Sequence, residues 1–200
     1  MNNNPARKAL IERRTAETEI KLTLNLDGNG ESQIASGIPF IDHMLTLFAR
    51  HSGSDLKIEA NGDIEVDFHH TVEDLGICLG QALTQALGNF GGIARYGEAL
   101  IPMDETLCGA VVDISKRPFL VFNVAVTAPK VGELDSELIE EFFRAFAVHG
   151  GLTLHINLNY GKNQHHIFEA AFKAAAHALR RAWTRRLELD GKVLSSKGSL

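Results

Sequence analysis

A chain of 200 residues, 44% hydrophobic and 22% charged, has the composition of a soluble globular protein with a full core, built as one large or two small domains. Its net charge of -5 argues against nucleic acid as the main partner, because a phosphate backbone calls for a basic face. Cys78 and Cys108 form no CxxC pair, Met1-Asn2-Asn3-Asn4-Pro5 has no apolar core, and no apolar run reaches the 18 or so residues of a membrane span, so the expectation is a cytoplasmic protein with no membrane partner.

Residues 7–14 read as a strand, and 19–26 as a second whose polar–apolar alternation suits one buried face. Asp27-Gly28-Asn29-Gly30 signals a turn, followed by a return strand over 31–37. Residues 39–50 carry a helical stripe of Phe40, Ile41, Met44, Leu45, Leu47 and Phe48, which Gly53 ends. A strand over 55–60 and a turn at Asn61-Gly62-Asp63 lead to a helix that opens with His69-His70 and runs to about Leu87. Residues 89–94, with Gly91-Gly92, form a natural junction. Strands rich in Val, Ile, Leu and Phe follow at 98–103, 107–115 and 119–126. Residues 136–148 read as a helix with Ser136 as N-cap and acids in the first turn. A strand over 152–159, a turn over 160–164 and a helix from His165-His166 to about Arg186 complete the series.

The two helices share an opening. His69-His70-Thr71-Val72-Glu73 is repeated as His165-His166-Ile167-Phe168-Glu169. The first His and the Glu of each copy are i, i+4 and share a helix face. Adjacent histidines diverge by roughly 100° around the axis, so one ion seldom takes both. Two copies therefore suggest two metal centres, each drawing one His from each copy. The repeat extends further, pairing His43 with Glu141, Phe48 with Phe146, Ala49 with Ala147, His51 with His149 and Gly53 with Gly151. Leu56 and Ile58 then pair with Leu154 and Ile156, and Ala82, Leu83 and Ala86 with Ala178, Leu179 and Ala182. This is an internal duplication. The order of strands, helix, strand and helix, twice over, predicts an α+β fold with helices on one face of each sheet.

Imidazole and carboxylate ligands without thiolate suit Mn²⁺, Fe²⁺, Co²⁺ or Zn²⁺. The metal candidates are His43, His69, His70, Glu73, Glu141, His165, His166 and Glu169, with His43 and Glu141 admitted by their equivalence in the repeat. His51 and His149 precede glycines at helix ends, where a cation also favours the dipole. Arg95, Arg117 and the Ser195-Ser196-Lys197-Gly198 tail supply groups of the kind that cradle a phosphate. Arg180, Arg181, Arg185 and Arg186 read as a solvated face near a helix C-terminus.

The doubled His-His-x-x-Glu resembles the signature of the imidazoleglycerol-phosphate dehydratase family of histidine biosynthesis. So do Pro39-Phe40-Ile41-Asp42-His43-Met44, Pro102-Met103-Asp104-Glu105, Thr153-Leu154-His155-Ile156 and the Ser-Ser-Lys-Gly tail, in order from about Arg7 to Gly198. The resemblance implies sheet-and-helix halves like domain 2 of ribosomal protein S5, here residues 1–92 and 93–200, packed as one pseudo-symmetric catalytic unit with a substrate-binding tail. It implies two Mn²⁺ per active site, a phosphorylated small-molecule substrate, and a 24-subunit homo-oligomer with active sites between subunits. The reaction it implies is dehydration of D-erythro-imidazoleglycerol phosphate to imidazole-acetol phosphate and water, through an imidazolate form of the substrate. Substrate contacts carried over by motif are Glu17, His43, His51, His69, His70, Arg95, Arg117, His165, His166, Lys173, Ser195, Ser196 and Lys197. Glu17, Glu73 and Glu169 are the candidate proton-moving carboxylates, Glu169 first among them, with Asp104 assisting by orienting a neighbour. Some relatives carry His where this chain has Glu141, a change of ligand charge. With no fused phosphatase domain, the chain reads as monofunctional.

Two other readings accommodate the same residues. A dinuclear metallohydrolase would release inorganic phosphate from its substrate, and a metal-storage shell would show no turnover and need no phosphate-binding set.

Overall fold

The computed structural model describes residues 6–189 and 191–198. The first half comprises β1 (Lys8–Arg14), β2 (Thr18–Asn25), β3 (Ser32–Ala35), α1 (Pro39–Ser52), β4 (Asp55–Gly62) and α2 (His69–Leu87). The second comprises β5 (Tyr96–Met103), β6 (Thr106–Ile114), β7 (Phe119–Asn123), a short hairpin of β8 (Lys130–Val131) and β9 (Leu134–Asp135), α3 (Leu138–Gly150), β10 (Leu152–Tyr160) and α4 (Gln164–Trp183). The sheet orders are β1-β2-β4-β3 and β5-β6-β10-β7. In each, the first two pairings are antiparallel and the last is parallel. The duplication read from the motifs thus holds for the whole topology.

Alternation explains which face each sheet buries. Thr18, Ile20, Leu22 and Leu24 of β2 are buried, as are Thr106, Cys108, Ala110, Val112 and Ile114 of β6. The helices cover these faces, and the two helix layers meet, α1 on α4 and α2 on α3. Phe48 and Phe146, partners in the repeat, touch edge to face with ring centroids 6.0 Å apart, which puts the pseudo-twofold relation between them. Phe142, Phe143 and Phe172 pack nearby, each burying apolar surface worth roughly 1.5–3 kcal/mol. α2 approaches α3 closely because it has Gly76 and Gly80, where an added Cβ would stand 2.5 Å from the Phe142 carbonyl oxygen and 2.6 Å from the Gly150 nitrogen. At one end of α2, buried Asp74 accepts from Arg13 at 2.8 Å and from the Thr18 hydroxyl, fixing the helix to β1 and β2.

Four local expectations are corrected. The return strand over 31–37 exists as β3, but it pairs in parallel with β4 because β4 already occupies the open edge of β2. The turn at Asn61-Gly62-Asp63 is largely strand, with Gly62 opposite Thr18. Ser136 does not cap α3; its hydroxyl donates to the Ala128 carbonyl at 2.7 Å, and α3 starts after Glu137 without a side-chain cap. α4 ends at Trp183, so Arg185 and Arg186 lie beyond it, the latter paired with Glu188.

Candidate functional site

The start of α4 is set by Asn163, whose side-chain oxygen accepts from the His165 backbone N–H at 2.9 Å. Asp67 does the same for His69 at 2.7 Å. Each His-His pair therefore enters its helix through the same kind of turn. One helical turn on, Glu169 is buried, and its Oε2 lies 3.3 Å from His165 Nε2. His43 Nε2 reaches the same oxygen from α1, at 3.4 Å. Asp42 steadies that approach by accepting from the Ser36 backbone N–H at 3.0 Å and from its hydroxyl at 2.5 Å. Lys173, a further turn along α4, donates to Glu169 Oε1 at 2.5 Å. Burial alone would raise the Glu169 carboxyl, but Lys173 and His43 outweigh it and hold the group below the usual carboxylate range.

The donor atoms of His43, His165 and Glu169 all lie within 4.8 Å of one another. Two imidazole nitrogens and one carboxylate oxygen, converging without thiolate, fit a divalent cation of the Mn²⁺–Zn²⁺ series. The remaining ligand candidates do not join this trio within one chain. His69 and Glu73 stand 4.0 Å apart on α2, and His70 bonds Asp63 at 3.0 Å through Nδ1, with Glu17 at 3.8 Å from Nε2. The Asp63 carboxylate pushes His70 up from its ordinary value. Glu141, on α3, pairs with Arg144 at 3.3 Å. His166 turns away from His165, its Nδ1 2.7 Å from Glu105 Oε2 and its Nε2 3.8 Å from Asp104.

A cleft of about 440 Å³ opens beside the trio, bordered by His43, His165, Phe40, Phe68, Val131 and Leu134. Phe40 meets the His165 ring edge-on at 5.2 Å. The β8–β9 hairpin that forms one wall escaped the sequence reading, because two-residue strands leave no periodicity to detect. A larger groove of about 650 Å³ runs beside Gln33, Thr46 and Arg50, away from these ligands. Asp63 and Glu105 also went unassigned. Glu105 was findable: Glu17-Thr18 and Glu105-Thr106 occupy equivalent places, in the β1–β2 and β5–β6 turns.

The basic set gathers elsewhere. Arg95, buried and in a left-handed backbone conformation, grips Asp113 at 2.7 and 3.0 Å and donates to the Leu194 carbonyl at 2.6 Å. Arg117 reaches the same Asp113 at 3.5 Å. The Ser195 hydroxyl accepts from the Lys197 backbone N–H at 3.2 Å, shaping the tail just past that grip. His51 faces His177 across α1 and α4 with ring nitrogens 3.2 Å apart. Burial and then the facing His177 and Lys173 charges push His51 down.

Comparison with known proteins agrees with this geometry. The family model described as imidazoleglycerol-phosphate dehydratase matches residues 36–179. A protein of that name from Pelobacter propionicus is 59% identical over 194 residues, covering 97% of this chain and 99% of its own. Its namesake from Geobacter sulfurreducens is 54% identical over 195 residues, covering 98% and 100%. The crystal structure of the Staphylococcus aureus imidazoleglycerol-phosphate dehydratase superposes with a TM-score of 0.82 at 45% identity, over 89% of this chain and 99% of that one. The Pyrococcus furiosus structure gives the same score at 36% identity, over 95% and 100%. The chain therefore belongs to the imidazoleglycerol-phosphate dehydratase family of hydro-lyases.

Proposed function

We propose that this protein dehydrates imidazoleglycerol phosphate to imidazole-acetol phosphate and water in histidine biosynthesis. The observation that carries the reading is the convergence of His43, His165 and Glu169 beside an open cleft, in a chain of this family. These residues would hold one cation, and His69, His70, Glu73, Glu141 and His166 are the remaining candidates for the ligand sets of two. Divalent cations, Mn²⁺ by the family resemblance, would supply Lewis acidity toward the imidazole nitrogens and favour the deprotonated ring.

The chain's own groups divide the rest of the work. The departing hydroxyl sits on the carbon attached to the ring, and the departing proton on the next carbon of the side chain. Both oxygens of Glu169 are engaged, one by the two histidines and one by Lys173, which supports a ligand role for it in place of the base expected from the motif. Glu17, half exposed and 3.8 Å from His70, is the freer carboxylate and takes the side-chain proton. Asp104 borders His166 and orients it. Loss of the proton and of hydroxide, the latter leaving as water once protonated, gives an enol that tautomerises to the ketone.

The phosphate is held by Arg95, Arg117, Ser195, Ser196 and Lys197, and their placement supports active sites shared between subunits. Arg95 stands at the start of β5 and bonds the Ala182 carbonyl near the end of α4, whereas Glu105 and the histidines lie at the opposite ends of both elements. β5 has 8 residues and α4 has 20, so the two groups stand roughly 25 Å apart at about 3.3 Å per strand residue or 1.5 Å per helical residue. A ring, three carbons and a phosphate cannot bridge that span within one chain. A homo-oligomer, 24 subunits by resemblance, brings one subunit's tail to another's histidines. Residues 1–92 and 93–200 then serve as two halves of a single catalytic unit. Buried free Cys78 and Cys108 support a reducing, cytoplasmic setting, and no helix among the described residues is long and apolar enough to cross a membrane.

The test is to strip the protein of metal, add Mn²⁺ back, and follow imidazole-acetol phosphate. Metal-dependent appearance of the ketone with its phosphate ester intact is the expected result. Release of inorganic phosphate would make the protein a phosphatase, and no turnover in either state would refute the dehydratase reading.

A further inference from the structure

The two halves treat their second histidine differently. In the first, the Nδ1 of His70 is held by Asp63 from the β4–α2 connection, and Glu17 in the β1–β2 turn stays loose. In the second half, the residue equivalent to Glu17 has become the holder. Glu105, in the β5–β6 turn, bonds His166 Nδ1 at 2.7 Å through Oε2. Its Oε1 accepts the backbone N–H groups of Lys162 at 3.1 Å and Asn163 at 2.8 Å. Asn163 is the residue whose side chain opens α4. One carboxylate thus fixes the chain entering the helix and the ring that the helix presents.

We infer that Glu105 is a positioning residue for metal binding, holding His166 as the tautomer whose Nδ1 carries the proton and whose Nε2 is free to ligate. A neutral imidazole has one donor and one acceptor nitrogen, so a carboxylate on Nδ1 decides which nitrogen is left for a cation. Carboxylate partners of this kind also make the ligating nitrogen more basic. Glu105 suits the task because both its oxygens are fixed as acceptors, Oε1 by the Lys162 and Asn163 backbone N–H groups and Oε2 by the His166 ring. The repeat thereby divides labour between equivalent acids: Glu17 stays half exposed, 3.8 Å from His70, while Glu105 is bonded to a ring and two backbone N–H groups. The inference rests on the reading of His166 as a metal ligand.

Glu105→Gln separates holding from folding. The amide oxygen can still accept the two backbone N–H groups, and the amide nitrogen then faces His166 Nδ1 as a donor. That forces the proton onto Nε2 and removes the ligating lone pair. Mn²⁺ binding, followed by electron paramagnetic resonance of free Mn²⁺ and by calorimetry, should weaken by about 10–100-fold for one of the ions, with the metal-free melting temperature little changed. His166→Gln should show a comparable loss, and Glu105→Gln on that background should add nothing further, because both act through one ring. Glu105→Asp, a carboxylate withdrawn by one methylene, is the second variant, with a smaller loss expected. Wild-type affinity in the Gln and Asp variants, or equal loss from Glu105→Gln with and without His166, would overturn the inference while leaving the dehydratase reading intact. A wild-type protein that binds no Mn²⁺ would overturn the metal reading and this inference together.

Discussion

His51 and His177, facing one another across α1 and α4, show how single residues set the fold's response to acid. Burial lowers both from their ordinary 6.5, helped by the mutual charge at His51 and by Arg181 and Arg180 at His177. Below about pH 6.5 the unfolded chain therefore binds more protons than the folded one, and stability falls as pH drops through that window. His177→Gln removes one of the two and should flatten the dependence: its melting temperature, measured between pH 7.5 and 5, should fall by a few degrees less than the wild type's. Equal slopes would show that the pair does not govern acid stability. At the proposed phosphate site, Lys197→Ala would remove one charge-assisted contact worth about 1.5–3 kcal/mol, so KM should rise tenfold or more while metal content stays constant. An unchanged KM would remove the tail from the substrate site.

Among the elements, β5 and α4 carry the largest consequence for the site, because they connect the histidine end to the arginine end. Their close approach requires Gly97, where an added Cβ would stand 1.9 Å from the Ala178 carbonyl oxygen. Gly97→Ala should push β5 from α4 and destabilise the fold by about 1–3 kcal/mol, read as a lowered melting temperature, with Arg95 displaced along with the strand. Wild-type stability would mean the backbone yields there without loss. Elements with a strong period were legible in the sequence: the stripe of α1, the alternation of β2 and the starts of the two His-His helices lie where pattern placed them, the second helix ending three residues early at Trp183. Pairing was not legible for β3, since a four-residue strand can add to either neighbour and only the completed sheet shows that β4 takes the edge of β2. Ser136 misled because a capping residue and a loop hydroxyl look alike until the Ala128 carbonyl is in view. At the site, the repeat and the Pro39–Met44 motif both singled out His43, which the structure sets beside His165 and Glu169. Asp63 was not legible because no motif marks an acid seven residues before His70, and Glu105 because its equivalence to Glu17 shows only once the two turns are aligned.

At the scale of the whole molecule, the proposed cation ligands and the proposed phosphate-binding groups lie at opposite ends of β5, so the proposed site calls for a neighbouring subunit. Cations that complete their coordination between subunits would stabilise only the assembled state. Chelation should shift the sedimentation profile toward smaller species, and Mn²⁺ should restore the larger one; a profile indifferent to metal would contradict metal-linked assembly. The most direct measurement mixes two defective variants. Glu169→Gln impairs the histidine end, and Lys197→Ala combined with Arg117→Ala impairs the phosphate end, so each alone should be nearly inactive. Dissociated, mixed in equal amounts and reassembled with Mn²⁺, they should regain activity at about a quarter of the sites, those where an intact histidine end meets an intact tail. No recovery beyond the sum of the separate variants would contradict a site shared between subunits.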